Sequence, residues 1–177
     1  MLRLQNLSNK YRKRTLRAVY THTQGTPYSA VLDSGFNRTQ GQLAGAGAIT
    51  DSKAAIMPGS VMVKTAGETV TLSAAEAGHR PMGLSANFVG GELDELGTRS
   101  EIGVWRGTGS VYQILAPAFD DTDLAAAAGA EDGAVANEVY MESTAKGVLS
   151  DDADAGTKTA RLVRRLSANA IIVELLV

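Results

Sequence analysis

Residues 83–119, GLSANFVGGELDELGTRSEIGVWRGTGSVYQILAPAF, restrict the possible folds more than any other part of the chain. Leu84, Ala86 and Phe88 alternate with Ser85 and Asn87, and Ile102 and Val104 alternate with Glu101 and Gly103. After a Gly107-Thr108-Gly109 turn, Val111 and Leu115 alternate with Tyr112 and Ile114. Period-two alternation broken by glycine is the pattern of antiparallel strands with short connections. The stretch also holds the single tryptophan, Trp105, and two of the three phenylalanines, Phe88 and Phe119. The expected core of this central hairpin is Leu84, Phe88, Val104, Trp105, Tyr112 and Ile114. It reads as a platform, with no reaction centre.

The same grammar extends to both sides. YSAVLDS at 28–34 is a short strand, and Val61 with Val63 and Val70 with Leu72 make two more around an Ala66-Gly67-Glu68 hairpin turn. Ser73-x-x-Glu76 has capping-box spacing, but Gly78 follows so soon that a single helical turn used as a corner fits best. Asp120-Asp121-Thr122-Asp123 supplies N-cap donors before Leu124 and four alanines, with Gly129 as the stop, which predicts one short helix. Residues 135–143 and 147–149 read as strands separated by Thr144-Ala145-Lys146. TARLVRRLSANAIIVELLV at 159–177 reads as two strand-like runs joined by Ser167-Ala168-Asn169. The first run is ambiguous, because Leu162, Val163 and Leu166 also suit one helical face. The second, Ile171 to Val177, is a buried strand. Strands dominate, and the fold class is mainly β: a small antiparallel β-barrel or β-sandwich with one short helix and an extended N-terminal arm. The divisions that follow are an arm at 1–27, a strand and Gly/Ala-rich connection at 28–57, and the barrel or sandwich at 58–177.

Charge sets the arm apart. Residues 1–17 carry six of the seventeen bases (Arg3, Lys10, Arg12, Lys13, Arg14, Arg17) and none of the nineteen acids. Leu2, Leu4 and Leu7 are the arm's apolar points, and Tyr11 lies inside the basic cluster. A basic arm on an acidic body is expected to dock on something negative or on a neighbouring copy. Its composition gives it little means of ordering itself, so a partner is expected to hold it. Phosphate is one such partner, with Tyr11 stacking on a base. The acidic remainder would repel nucleic acid, however, and no recognition helix or aromatic-rich sheet face accompanies the arm. An acidic protein surface fits better.

Composition removes most chemistry. There is no cysteine, hence no disulfide, thiolate metal site or thiol nucleophile. Only His22 and His79 could serve a triad as base, and no Gly-x-Ser-x-Gly elbow accompanies either. Glu92, Asp94 and Glu95 have little apolar cover to push their pKa values apart, and read as a solvated hairpin tip. Asp120, Asp121 and Asp123, and likewise Asp151, Asp152 and Asp154, do not match a twelve-residue calcium loop. The GAGA run lacks the pattern of a phosphate-binding loop. No catalytic residue, metal or cofactor is expected. No apolar run approaches the ~18 residues of a membrane span, and the N-terminus is too basic and polar for a signal peptide, so the expectation is a soluble chain that is not secreted. Aromatics are 5% of the residues and glycine numbers 19, so the core is expected to be thin, with partner chains burying part of the surface.

Residues 81–119 resemble the central segment of head decoration (cement) proteins of tailed bacteriophages. The residues that carry the likeness are Pro81, Gly83 and Leu84, the acidic Asp94 and Glu95, the Val104-Trp105-Arg106-Gly107 turn, and Val111, Tyr112, Ile114 and Leu115. The resemblance implies a β-barrel or β-sandwich module in the virion, on the outer capsid surface, made in the host cytoplasm. It also implies a homotrimer that ties neighbouring major capsid subunits together and stabilises the shell. Alternatives from other classes are a tail or head–tail connector component, a nucleic-acid-binding module led by the arm, and a small enzyme using the 92–95 or 120–123 carboxylates. On the leading reading the contacts come from Leu2, Arg3, Leu4, Leu7, Lys10, Tyr11, Arg12, Lys13, Arg14 and Arg17.

Overall fold

The structure, a computed structural model, describes residues 16–20, 27–34, 56–73, 80–90, 95–120, 124, 140–143, 147–151 and 158–177. Among these residues eleven strands follow one another: β1 (Leu16–Tyr20), β2 (Tyr28–Leu32), β3 (Val61–Ala66), β4 (Thr69–Leu72), β5 (Pro81–Ser85), β6 (Glu101–Trp105), β7 (Val111–Leu115), β8 (Tyr140–Ser143), β9 (Leu149–Ser150), β10 (Ala160–Ser167) and β11 (Ala170–Leu175). They form a closed barrel in the order β2-β4-β3-β5-β6 and a six-stranded sheet in the order β1-β7-β11-β10-β8-β9. The chain is therefore mainly β with a true barrel. Of the short helix expected after Asp120, only Leu124 lies among the described residues; it is helical and buried.

Local chemistry accounts for the two plain hairpins. β3 and β4 pair antiparallel across Gly67, whose φ of 53° suits a tight turn without a Cβ penalty. β10 and β11 pair antiparallel across Ala168 and Asn169, where the sequence places the turn. The central hairpin, in contrast, is not a hairpin. β6 lies in the barrel, antiparallel to β2 and β5, while β7 lies in the sheet between β1 and β11. The Gly107-Thr108-Gly109 turn that separates them is latched to the end of β11 instead. Gly107 N–H donates to the Val177 carbonyl at 2.9 Å and Gly109 N–H to the Leu175 carbonyl at 2.8 Å. Alternation in a sequence tells which face a residue takes but not which strand it meets, so this divorce of neighbours was invisible.

Each sheet has its own core. Leu16, Tyr112, Ile114, Met141, Ala160, Leu162, Ile171, Val173 and Leu175 project from one face of the six-stranded sheet and are buried with Phe119, Leu124 and Leu149. The barrel interior is filled by Ala30, Leu32, Met62, Val70, Leu72, Ile102 and Val104, with Ile56, Val89 and Leu96 beside them. Two barrel residues, Val61 and Leu84, belong to the sheet's cluster, and Trp105 packs against it. Trp105 stands tilted against Tyr112 with ring centroids 6.0 Å apart. Barrel and sheet thus share a wall. Gly147 seals it: its carbonyl accepts the Val61 N–H at 2.7 Å, and a Cβ on it would come within 2.3 Å of the Leu72 methyl.

Two bulges in β10 explain its ambiguous sequence pattern. The pairing with β11 slips between Leu162 and Arg164 and again between Arg165 and Ser167. The residues turned to the core become Ala160, Leu162 and Arg165, a spacing that mixes two with three. Helix-like spacing here is a twice-bulged strand.

Tyr112 is fully buried, and its hydroxyl has no hydrogen-bond partner among the described residues. Burial pushes its pKa above the usual 10.0; Ser110 lies near enough to moderate the rise without making a well-formed bond. Below about pH 10 both folded and unfolded chains keep the proton. Above it the unfolded chain loses its proton first, so stability falls as pH rises toward the folded-state pKa. Tyr112→Phe is expected to flatten that alkaline decline while costing little near neutrality, since the hydroxyl removed is not bonded. Urea unfolding of both proteins at about pH 8 and about pH 10.5 checks it; an equal alkaline loss in the two would refute the assignment.

Candidate functional site

The arm enters the fold through β1. Leu16, Arg17, Ala18 and Tyr20 stand in register with Ile114, Gln113, Tyr112 and Val111 of β7, with a bulge at Val19. Leu16 is buried in the sheet core, while Val19 is 58% exposed. β1 is an outer strand of the sheet, so the residues that follow the basic cluster are hydrogen-bonded into the body at a sheet edge. The bulge displaces Val19 from strict alternation, and that hid the strand from sequence reading. Of the residues expected to make contacts, Leu2, Arg3, Leu4, Leu7, Lys10, Tyr11, Arg12, Lys13 and Arg14 lie outside the described residues. Arg17 is placed by its backbone register alone.

The face of the sheet opposite its core carries a mixed surface. Val111, Gln113 and Leu115 on β7, and Ala170, Ile172 and Glu174 on β11, alternate with the core residues and are half-buried. Across the strands they form rows: Gln113, Ile172 and Arg164 in one, and Val111, Glu174, Arg161 and Tyr140 in the next. The Arg161 guanidinium bridges to the Glu174 carboxylate, with Nε at 3.1 Å. Lys158 Nζ lies 3.8 Å from the centre of the Tyr140 ring, a cation–π contact. Val163, put out of step by the first bulge, is 42% exposed.

A second constellation sits at the barrel. The Tyr28 hydroxyl donates to Glu68, and the Arg106 guanidinium covers the Tyr28 ring at 3.7 Å. The bond to Glu68, followed by desolvation, raises the tyrosine's pKa above its usual value. A cleft of about 500 Å³ lies nearby, lined by Val31, Leu32, Asp33, Thr65, Thr69 and Ser100 among others. A hydrogen-bonded tyrosine held protonated beside a shallow polar cleft offers no nucleophile and no poised base.

The remaining candidates are structural or lie outside the described residues. Glu95, expected at a solvated tip, is half-buried, and its carboxylate accepts from Asn87 Nδ2 at 3.2 Å and Phe88 N–H at 3.3 Å. Asn87 in turn accepts the Gly103 N–H at 2.8 Å, so Glu95 fastens the loop between β5 and β6 to the barrel. Glu92, Asp94, His22, His79, the GAGA run, Asp121, Asp123, Asp152 and Asp154 lie outside the described residues. Among the described residues no group of three or more His, Asp or Glu could hold a metal, and no helix is long and apolar enough to cross a membrane. The six residues expected to form one core divide. Leu84, Tyr112 and Ile114 join the sheet's cluster with Trp105 against it, Val104 joins the barrel's, and Phe88 is buried outside both. The described geometry presents a sheet face of mixed apolar and charged residues, with β1 at its edge.

The sequence matches the model of a family described as phage cement protein over residues 1–176. No curated protein matches it at a significant level.

Proposed function

The chain belongs to the phage cement protein family, a family of structural proteins of the phage capsid, and from that premise we propose that it binds the outer surface of an icosahedral head and bridges neighbouring major capsid subunits. The arm is the grip, and a homotrimer is the working unit. The observation that supports this reading most directly is the pairing of β1 with β7, because a segment with five bases immediately precedes a strand held at a sheet edge. A segment leaving from a sheet edge is well placed to add its backbone to an exposed strand of a neighbouring subunit.

The root also dictates how the arm must be tested. Deleting residues 1–15 spares β1, whereas deletion through Tyr20 would strip an edge strand and the buried Leu16 from the body. The shorter deletion is expected to leave β-sheet content and melting temperature unchanged and to lower binding to cement-free capsids by about tenfold or more, the loss of ~1.4 kcal/mol or more of contact. Undiminished occupancy would end the assignment of the grip to the arm. A copy number that scales with the capsid subunits separates decoration from a tail or connector part, which would be present as a ring.

A further inference from the structure

We propose that the open face of the six-stranded sheet, the one carrying Val111, Leu115, Ile172, Arg161, Arg164 and Lys158, is the surface that docks on the capsid, and that it takes an acidic patch of the shell. The inference rests on the capsid-binding reading above and specifies which side of the molecule meets the shell.

Three observations carry it. The first is local charge. The chain as a whole has more acids than bases and a pI near 5.7. On this face, however, the described charged side chains are Lys158, Arg161 and Arg164 against Glu174, and backbone register alone adds Arg17 and Glu142, one of each sign. The described side chains of the barrel and its loops are balanced, with Lys64, Arg80, Arg99 and Arg106 against Asp33, Glu68, Glu95 and Glu101. Among the described side chains the positive excess falls on this side.

The second is the apolar content of the outward positions. A sheet with one face in water places polar residues at alternate positions. Here Val111 and Leu115 flank Gln113 on β7, Ala170 and Ile172 precede Glu174 on β11, and Val163 stands 42% exposed on β10. An apolar centre with a charged rim is the anatomy of a protein–protein interface. Nucleic acid would call for cations along a groove, with few apolar side chains between them.

The third is continuity. The backbone of Arg17 stands in the row of Gln113, Ile172 and Arg164, so the basic segment enters the sheet at the edge of this same face. Arm and face share a sign of charge and a border. Complementary charge on the shell would steer encounter and set orientation, while the apolar centre slows release.

The test uses the full chain and purified capsids that lack it. Lys158→Glu with Arg164→Glu reverses the rim, Val163→Asp interrupts the apolar part, and Lys64→Glu with Arg80→Glu is the barrel control. The two face variants are expected to weaken capsid binding by about tenfold, and the control by less than about twofold. Wild-type binding should weaken as salt rises, and less steeply for the rim variant. Each variant's melting curve is recorded, and Val163→Asp, a single change at an exposed position, decides if the double reversal fails to fold. Face variants that bind like wild type while the 1–15 deletion does not would overturn this assignment and leave the functional reading standing. Wild type that ignores capsids would sink both. Two further results overturn the proposal: loss of self-association with capsid binding intact, which would make the face an interface between copies, and salt-sensitive retention on duplex DNA without capsid binding.

Discussion

Gly83→Ala is expected to leave little folded protein. Gly83 lies in β5 opposite Met62 of β3, with φ of +154°, and a Cβ built on it would stand 2.0 Å from the Trp105 carbonyl oxygen and 2.9 Å from its carbon. Neither atom is the end of a flexible side chain; both are backbone of β6. The methyl group can be housed only by prising β5 from β6, a pairing that closes the barrel through Leu84 with Trp105 and Ser85 with Val104. Such a clash adds to an unfavourable backbone conformation, and a loss of about 4 kcal/mol or more follows. Against the ~5–15 kcal/mol that holds a typical domain together, that is a failure to fold under many conditions. Gly67→Ala is the control. Its φ of +53° is also costly, but nothing lies within 4 Å of the added carbon, so about 1 kcal/mol is expected. Guanidinium unfolding of both variants, with soluble yield, separates collision from conformation; equal small losses would refute the argument.

Arg165→Met is expected to cost about 3 kcal/mol, roughly a 10 °C fall in melting temperature for a chain this long. Arg165 stands on β10 opposite Ile171, at the end of a row that runs through Ile114 to Leu16, and it is only 5% exposed. A guanidinium at that depth must be met by hydrogen bonds or an opposite charge, and Arg165 does carry polar interactions. Methionine keeps the apolar stem but strands the groups that met the charge. Thermal unfolding checks the size, and a variant as stable as wild type would show that packing of the stem is what the position needs.

These two positions also show what could be read beforehand. The strands over 28–32, 61–66, 69–72, 101–105, 111–115 and 170–175 were legible as short runs of β-branched and apolar residues between turn signals, even though 61–66 buries its first three residues in succession. Gly83 could be seen to end no strand, but its need to lack a Cβ arises from β6, which approaches it only in three dimensions. Arg165 was hidden by the bulges of β10, which turn an arginine inward where simple alternation would turn it outward. The separation of β6 from β7 was hidden for a related reason: the hydrogen bonds that enforce it come from Leu175 and Val177, far along the chain. As for the proposed binding surface, the basic segment was plain in the charge count. The sheet face was not, since its residues come from four strands whose adjacency is a matter of topology.

That topology has a bearing on the order in which the protein comes into being. β1 is made first, yet the strand it rests on, β7, is central only because β11 flanks it on the other side. Until the ribosome has delivered residues 170–175, β7 has one open border and Leu16 has an incomplete floor to settle on. Pairings between such distant segments are slow to form. The basic residues are therefore made well before the sheet that β1 joins is complete. A copy truncated before β11 carries that charge beside a sheet that lacks one of its inner strands.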